Sequence, residues 1–199
     1  MNGPARFFYD YIDPLSYLLE MRLQALESEL GISVERHPFE LRAPPAKLID
    51  PEDPLCMARV EAARREAAGT QVHVALPELI PWTRKAHELA LHGREKERFD
   101  DVHRAIFRAS VENGLDVGRV DVLVGIARDL GFDATETKAV LDVDRHTAVV
   151  DGLRGEAERL GVRGVPTVLH EGQLIEGWMD DGALRARLRP EAAKNTSDR

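Results

Sequence analysis

The chain has 199 residues, with 27 Lys plus Arg against 35 Asp plus Glu, a formal net charge of −8 with the seven His counted neutral. Hydrophobic residues make up 43% and charged residues 31%, a globular balance that excludes a disordered chain, a collagen-like repeat and a disulfide scaffold. An acidic chain with both signs interspersed lacks the basic face that nucleic-acid binding needs and is repelled by an anionic membrane surface, so neither is expected as a partner.

The single cysteine, Cys56, leaves no internal disulfide and no C-x-x-C motif. Strand-like residues begin by Phe7, with no charged segment and apolar run before them, so no secretory signal is expected. No apolar run approaches the ~18 residues of a membrane helix. The expected compartment is the cytoplasm.

In chain order, Phe7 to Ile12 is aromatic-rich, is bounded by Asp13-Pro14 and reads as a buried strand. Leu15, Leu18, Leu19, Leu23, Leu26 and Leu30 then share one broad helical face, and Gly31 is a natural stop. Ile32 to Arg36 alternates as a second strand, and Pro38 in its extension suggests an edge or a bulge. Pro44-Pro45 breaks the pattern. Glycine-punctuated helices follow: Pro54 to Ala68, Trp82 to His92, Phe99 to near Gly114, Val120 to Leu130, Thr135 to Leu141 and Arg145 to Leu160. Val165 to Leu169 and Gln173 to Glu176 read as a hairpin, and Asp181 to Leu188 as a closing helix.

This order implies an α/β fold in which the N-terminal β-α-β unit and the C-terminal hairpin share one sheet. The expected organisation is a domain made of residues 7–45 and 146–190, an inserted helical subdomain at 46–145 and a flexible tail at 191–199.

Two segments stand out for chemistry. One is Asp13-Pro14-Leu15-Ser16 at the start of the first helix, within Phe8-Tyr9-Asp10-Tyr11-Ile12-Asp13-Pro14-Leu15-Ser16-Tyr17-Leu18. The other is Gly161-Val162-Arg163-Gly164-Val165-Pro166-Thr167-Val168. Together with Arg104-Ala105-Ile106-Phe107-Arg108-Ala109, and in this order over roughly residues 7 to 188, they resemble the DsbA-like branch of the thioredoxin superfamily. That branch includes the 2-hydroxychromene-2-carboxylate isomerases and the kappa-class glutathione transferases. The resemblance implies a thioredoxin-like fold with a large helical insertion and a cis proline at Pro166.

Asp13-Pro14-Leu15-Ser16 stands where family members carry C-P-x-C or S-P-x-S. Asp13 and Ser16 cannot form a disulfide. In the glutathione-using members, as the resemblance implies, a serine hydroxyl at the position of Asp13 contacts the glutathione sulfur; a carboxylate there repels a thiolate. The functional expectation is a glutathione-dependent isomerase or transferase type acting on a small molecule. Asp13 and Ser16 are its candidate catalytic residues, Asp13 as a general base or ordering acceptor and Ser16 as a hydroxyl. Pro14, Val165 and Pro166 are the candidate cofactor-binding residues, with the Val165 backbone pairing with a peptide-like ligand. Glutathione is the expected cofactor, no metal is expected, and a homodimer is left open.

Blander readings stand beside these. Asp at N-cap with Pro at N1 is a favoured helix start, and as a cap alone Asp13→Ser should cost less than about 1 kcal/mol. Pro166 could be a trans strand-edge proline. Cys56, between Leu55 and Met57, reads as a small hydrophobe in a helix, or else as a reactive thiol reaching the cleft, which supports a thiol redox alternative. A non-catalytic binding module is the other alternative. His87 and His92, five apart, do not share a helix face. Asp142-Val143-Asp144-Arg145-His146 reads as a helix start and not a metal loop. Trp82 and Trp178 could line a cleft or pack in the core.

Overall fold

The computed structural model describes residues 3–75 and 78–189. The expected tail at 191–199 lies outside them. The elements are β1 (Ala5–Tyr9), α1 (Pro14–Leu30), β2 (Val34–Pro38), α2 (Pro54–Ala67), α3 (Arg84–Glu95), α4 (Phe99–Phe107) with a π-helical turn at Arg108–Glu112, α5 (Val120–Asp129), α6 (Ala134–Asp142), α7 (Thr147–Arg159), β3 (Thr167–His170), β4 (Gln173–Glu176) and α8 (Asp181–Leu188).

The four strands form one sheet in the order β2-β1-β3-β4. β1 runs parallel to β2, with Phe7 opposite Arg36, and antiparallel to β3, with Phe7 opposite Val168. The strand signals at the two ends of the chain therefore meet in a single mixed sheet, α1 serving as the crossover between its parallel pair.

The first strand is shorter than the sequence suggests. It ends at Tyr9, and Asp10 to Ile12 form a turn in which Asp10 O accepts from Asp13 N at 3.1 Å. The Asp10 carboxylate leaves the ladder to accept from Leu41 N at 2.6 Å. β2 sits two residues later than expected and ends at Pro38, opposite Tyr9. As the edge strand it tolerates a residue with no N–H to give.

Both faces of β1 are covered. Phe7 and Tyr9 belong to the larger core, which also takes in Leu19 and Leu23 of α1, Leu89 of α3 and Ile106 and Phe107 of α4. Phe8 points the other way, against Phe39, Ala157 of α7, Val162 and Val165. The alternation of a strand explains why an unbroken aromatic run serves two layers. The larger core is continuous from the sheet into α2, α3, α4 and α5.

The helices begin and end for local reasons. α1 has Asp13 as N-cap, Pro14 at its first position and Gly31 at φ 63° as its stop. α2 buries Val60, Ala63 and Ala67, whereas Leu55 is 82% exposed and Met57 is exposed. The Leu55-Cys56-Met57 run is thus not a packing face. α3 starts after Trp82, not at it. No helix among the described residues is long and apolar enough to cross a membrane.

Candidate functional site

A cleft of about 650 Å³ opens where the N-terminus of α1 faces the bend before β3. Its walls are Ile12, Asp13 and Pro14 from the α1 start, Gly164 and Val165 from the bend, Cys56, Arg59 and Val60 from α2, and the 41–50 loop. The Val165–Pro166 peptide bond is cis. A smaller apolar pocket adjoins the cleft and shares Ile12, Pro14, Val60 and Ile80 with it.

Asp13 is buried, and both of its carboxylate oxygens are engaged. Oδ2 accepts from Ser16 N at 2.8 Å and from Ser16 Oγ at 2.5 Å. Oδ1 accepts from Arg59 Nε at 2.5 Å. The same guanidinium donates from Nη2 to the Val165 carbonyl oxygen. Arg59 therefore ties together the start of α1, the first turns of α2 and the bend before β3. Burial alone would lower the Arg59 pKa, but the Asp13 carboxylate, by charge and hydrogen bond, reverses this and leaves it raised.

Of the five residues expected from sequence, Asp13, Pro14 and Val165 line the cleft. Ser16 is fully buried beside Asp13 and Pro166 is buried next to Val165, and neither is among the residues that line the cleft. The Ser16 hydroxyl is spent on the Asp13 carboxylate. The Val165 carbonyl is already an acceptor, although its second lone pair can take another donor.

Arg59 was not visible from sequence. It carries no motif, and only its position three residues after Cys56, on the same side of a helix, links it to the cleft. Cys56 itself is half-buried and lines the cleft. Asp53 caps α2 by accepting from Leu55 N at 2.9 Å and Cys56 N at 3.3 Å. Burial raises the Cys56 pKa, Asp53 adds to this and Arg59 opposes it, so the sulfur is held as a thiol. Trp82 stays outside, donating from Nε1 to Ala46 O at 2.9 Å, and Trp178 packs against the core under the Arg22 guanidinium at 3.9 Å.

Three cations, Arg42, Lys47 and Arg59, face three carboxylates, Asp13, Asp50 and Asp53, in the cleft lining. The cleft is balanced in a chain of net charge −8. The other walls are apolar, with Leu41, Leu48, Ile49, Leu55 and Ile80. This arrangement accommodates a small amphipathic or anionic molecule and offers no dithiol for disulfide exchange.

Comparisons with known proteins agree with the fold. The chain is 25% identical to the 2-hydroxychromene-2-carboxylate isomerase of Sphingobium xenophagum over 188 residues, covering 89% of this chain and 93% of that protein. A solved 2-hydroxychromene-2-carboxylate isomerase superposes with a TM-score of 0.81 at 17% identity, over 98% of both chains. The cytosolic disulfide reductase DsbM from Pseudomonas aeruginosa, solved with GSH, superposes with a TM-score of 0.65 at 18% identity, again over 98% of both. The model of the DSBA-like thioredoxin domain matches residues 6–188, nearly the whole chain, and this protein belongs to that family.

Proposed function

We propose that this protein is a glutathione-dependent isomerase or transferase type of the DsbA-like family, acting on a small molecule in the cleft beside Asp13. The observation that carries the reading is the Arg59 guanidinium, fixed between the Asp13 carboxylate and the Val165 carbonyl where a DsbA-like dithiol would otherwise react. A guanidinium there offsets the repulsion that Asp13 alone would exert on a thiolate. The relatives named above include an isomerase and a reductase solved with GSH, which supports this ligand class.

In this reading Asp13 is an ordering acceptor and not a base. Both of its oxygens are already engaged, one by Ser16 and one by Arg59. Ser16 holds Asp13, Asp13 aims Arg59, and Arg59 meets the sulfur or a carboxylate of glutathione. Val165, beside Pro166, pairs with the peptide-like backbone of the ligand. The apolar walls receive the second substrate. One of the similar structures is described as a cytosolic disulfide reductase, and we place this protein in the cytoplasm as well.

Calorimetric titration with glutathione tests this. Binding is expected in the native chain, weakened at least about tenfold in Arg59→Ala because a charge-assisted contact is worth roughly 1.5–3 kcal/mol. Asp13→Ser should weaken it as well, since Arg59 then loses the acceptor that aims it. No binding to the native chain, or binding indifferent to Arg59→Ala, would overturn the reading. A thiol redox role is the second reading, favoured only by the presence of Cys56 in the same cleft.

A further inference from the structure

A second cluster of chemistry-bearing side chains lies away from the cleft, where the end of α3 meets the residue that precedes α7. His92 and Glu95 of α3 and His146 each offer one donor atom, and the three atoms lie within 4.8 Å of one another. His92 Nδ1 is 3.8 Å from Glu95 Oε2, and His146 Nε2 is 3.7 Å from the same oxygen. The His92 and His146 side chains are 1% and 7% exposed, so both imidazoles are withdrawn from water. Both ring nitrogens of His92 and Nε2 of His146 have no hydrogen-bond partner among the described residues. Buried polar atoms normally find one, so two imidazoles aimed at one carboxylate without hydrogen bonds require an explanation.

We infer that His92, Glu95 and His146 form a binding site for a zinc-class divalent transition-metal ion. Two imidazole nitrogens and one carboxylate oxygen are a donor set that suits zinc and its neighbours, whereas calcium and magnesium prefer oxygen alone. Ligands held 2.0–2.1 Å from a tetrahedral ion stand about 3.4 Å apart, so the two separations from Glu95 Oε2 need to contract by about 0.4 Å and the two imidazole nitrogens, which lie within 4.8 Å of each other, by at most about 1.4 Å, a movement of the two rings toward the carboxylate. Three protein ligands leave the fourth position to water.

The fold prepares this arrangement. Glu88, His92 and Glu95 share one face of α3 at helical spacing. Glu88 is fully buried and accepts from His146 N at 3.1 Å and Thr147 Oγ1 at 3.1 Å, which pins the start of α7 one turn away from His92. Glu88 is itself paired with Lys85 Nζ at 3.0 Å. The second oxygen of Glu95 meets Arg145 Nη2 at 3.4 Å, an outer partner that orients the carboxylate and leaves Oε2 for the ion. None of the three ligands lines the cleft. The ion would fasten α3 to α7 without entering the chemistry beside Asp13.

The test uses the untagged full chain, stripped with a chelator and dialysed. Zinc is titrated calorimetrically, and cobalt is added as a spectroscopic probe. One zinc per chain is expected, with visible absorption from the cobalt form and a higher melting temperature. Glu95→Gln changes a half-exposed side chain and should leave the metal-free fold intact. It should weaken zinc at least about tenfold, because even outer partners of a metal ligand are typically worth 10–100-fold. Glu95→Gln with His146→Asn should abolish the cobalt absorption. Absence of zinc binding below millimolar concentration, or binding and absorption undiminished in the double variant, would overturn the inference.

Discussion

Arg59 of α2 and Asp13 at the N-cap of α1 are an ion pair, with Nε 2.5 Å from Oδ1. The contact joins residues 46 positions apart and makes Asp13 more than a helix cap. It also changes what substitutions at the α1 start should do.

Arg59→Ala would leave the Asp13 carboxylate buried beside an apolar wall. Breaking a fully buried pair costs roughly 3–5 kcal/mol, and the 35% exposure of the Arg59 side chain reduces this to about 1–3 kcal/mol. Asp13→Ser keeps a capping oxygen but loses the pair, so it should cost about 1–2 kcal/mol, above the limit of about 1 kcal/mol for a cap alone. Chemical denaturation of the two variants and the double variant measures both losses. A double-variant cycle without coupling would show that the pair contributes nothing.

Disulfide exchange should be absent. Asp13-Pro14-Leu15-Ser16 supplies no thiolate, and the Cys56 thiol is held above its ordinary pKa by burial and Asp53. In an insulin-reduction assay neither the native chain nor Cys56→Ser should turn over. Activity lost on Cys56→Ser would instead promote the thiol redox reading.

Stability should fall as the solution is acidified from neutral pH. Burial raises the Glu20 carboxyl, but the attraction of His103, whose Nε2 lies 3.7 Å from Oε2, and of Arg36 outweighs it and holds the pKa at about 2. Arg36 reaches Glu20 from Nε at 3.2 Å and from Nη2 at 3.1 Å. A depressed carboxyl stabilises the fold above its unfolded value of 4.5, and that contribution is lost as pH falls toward 2. Burial lowers the His103 pKa below 6.5, so its neutral form stabilises above 6.5 and its contribution begins to fade below it. His103 is therefore uncharged at neutral pH, and the attraction on Glu20 there comes from Arg36. Thermal melts from pH 7 to pH 3 should show a continuous decline. Glu20→Gln should remove about 2 kcal/mol at pH 7 and flatten the lower part of the curve. A native curve unchanged between pH 6 and pH 3 would contradict this account.

The α3–α4 contact gives a separate test. A Cβ on Gly93 would lie 2.8 Å from Val102 Cγ2 and 3.0 Å from Val102 Cβ. Overpacking of this kind costs about 1–3 kcal/mol, of which alanine regains about 1 kcal/mol in helix propensity. Gly93→Ala should therefore destabilise by about 1 kcal/mol, and Val102→Ala in the same chain should relieve it. Additive losses in the double variant would show that the two side chains do not meet.

Local physics made much of the architecture legible. The leucine face of α1, its Asp13-Pro14 start and its Gly31 stop are readable because capping and periodicity act within a few residues. The hairpin at Val165 to Glu176 and the closing helix at Asp181 to Leu188 follow from the same short-range rules. Asp13, Pro14 and Val165 could be named as cleft residues because two motifs carry them. What depended on the tertiary structure lies across long sequence separations. Arg59 has no signature until α2 folds over the α1 N-terminus and the bend before β3. The Ser16 hydroxyl donates to the Asp13 carboxylate, which Arg59 holds from its other oxygen. His92 and His146 are 54 positions apart, and no spacing rule joins them before Glu88 pins the start of α7 onto α3. Charges and donors act through space, and their partners are set by how the layers pack; the sequence by itself determined the elements, and packing decided which side chains face one another.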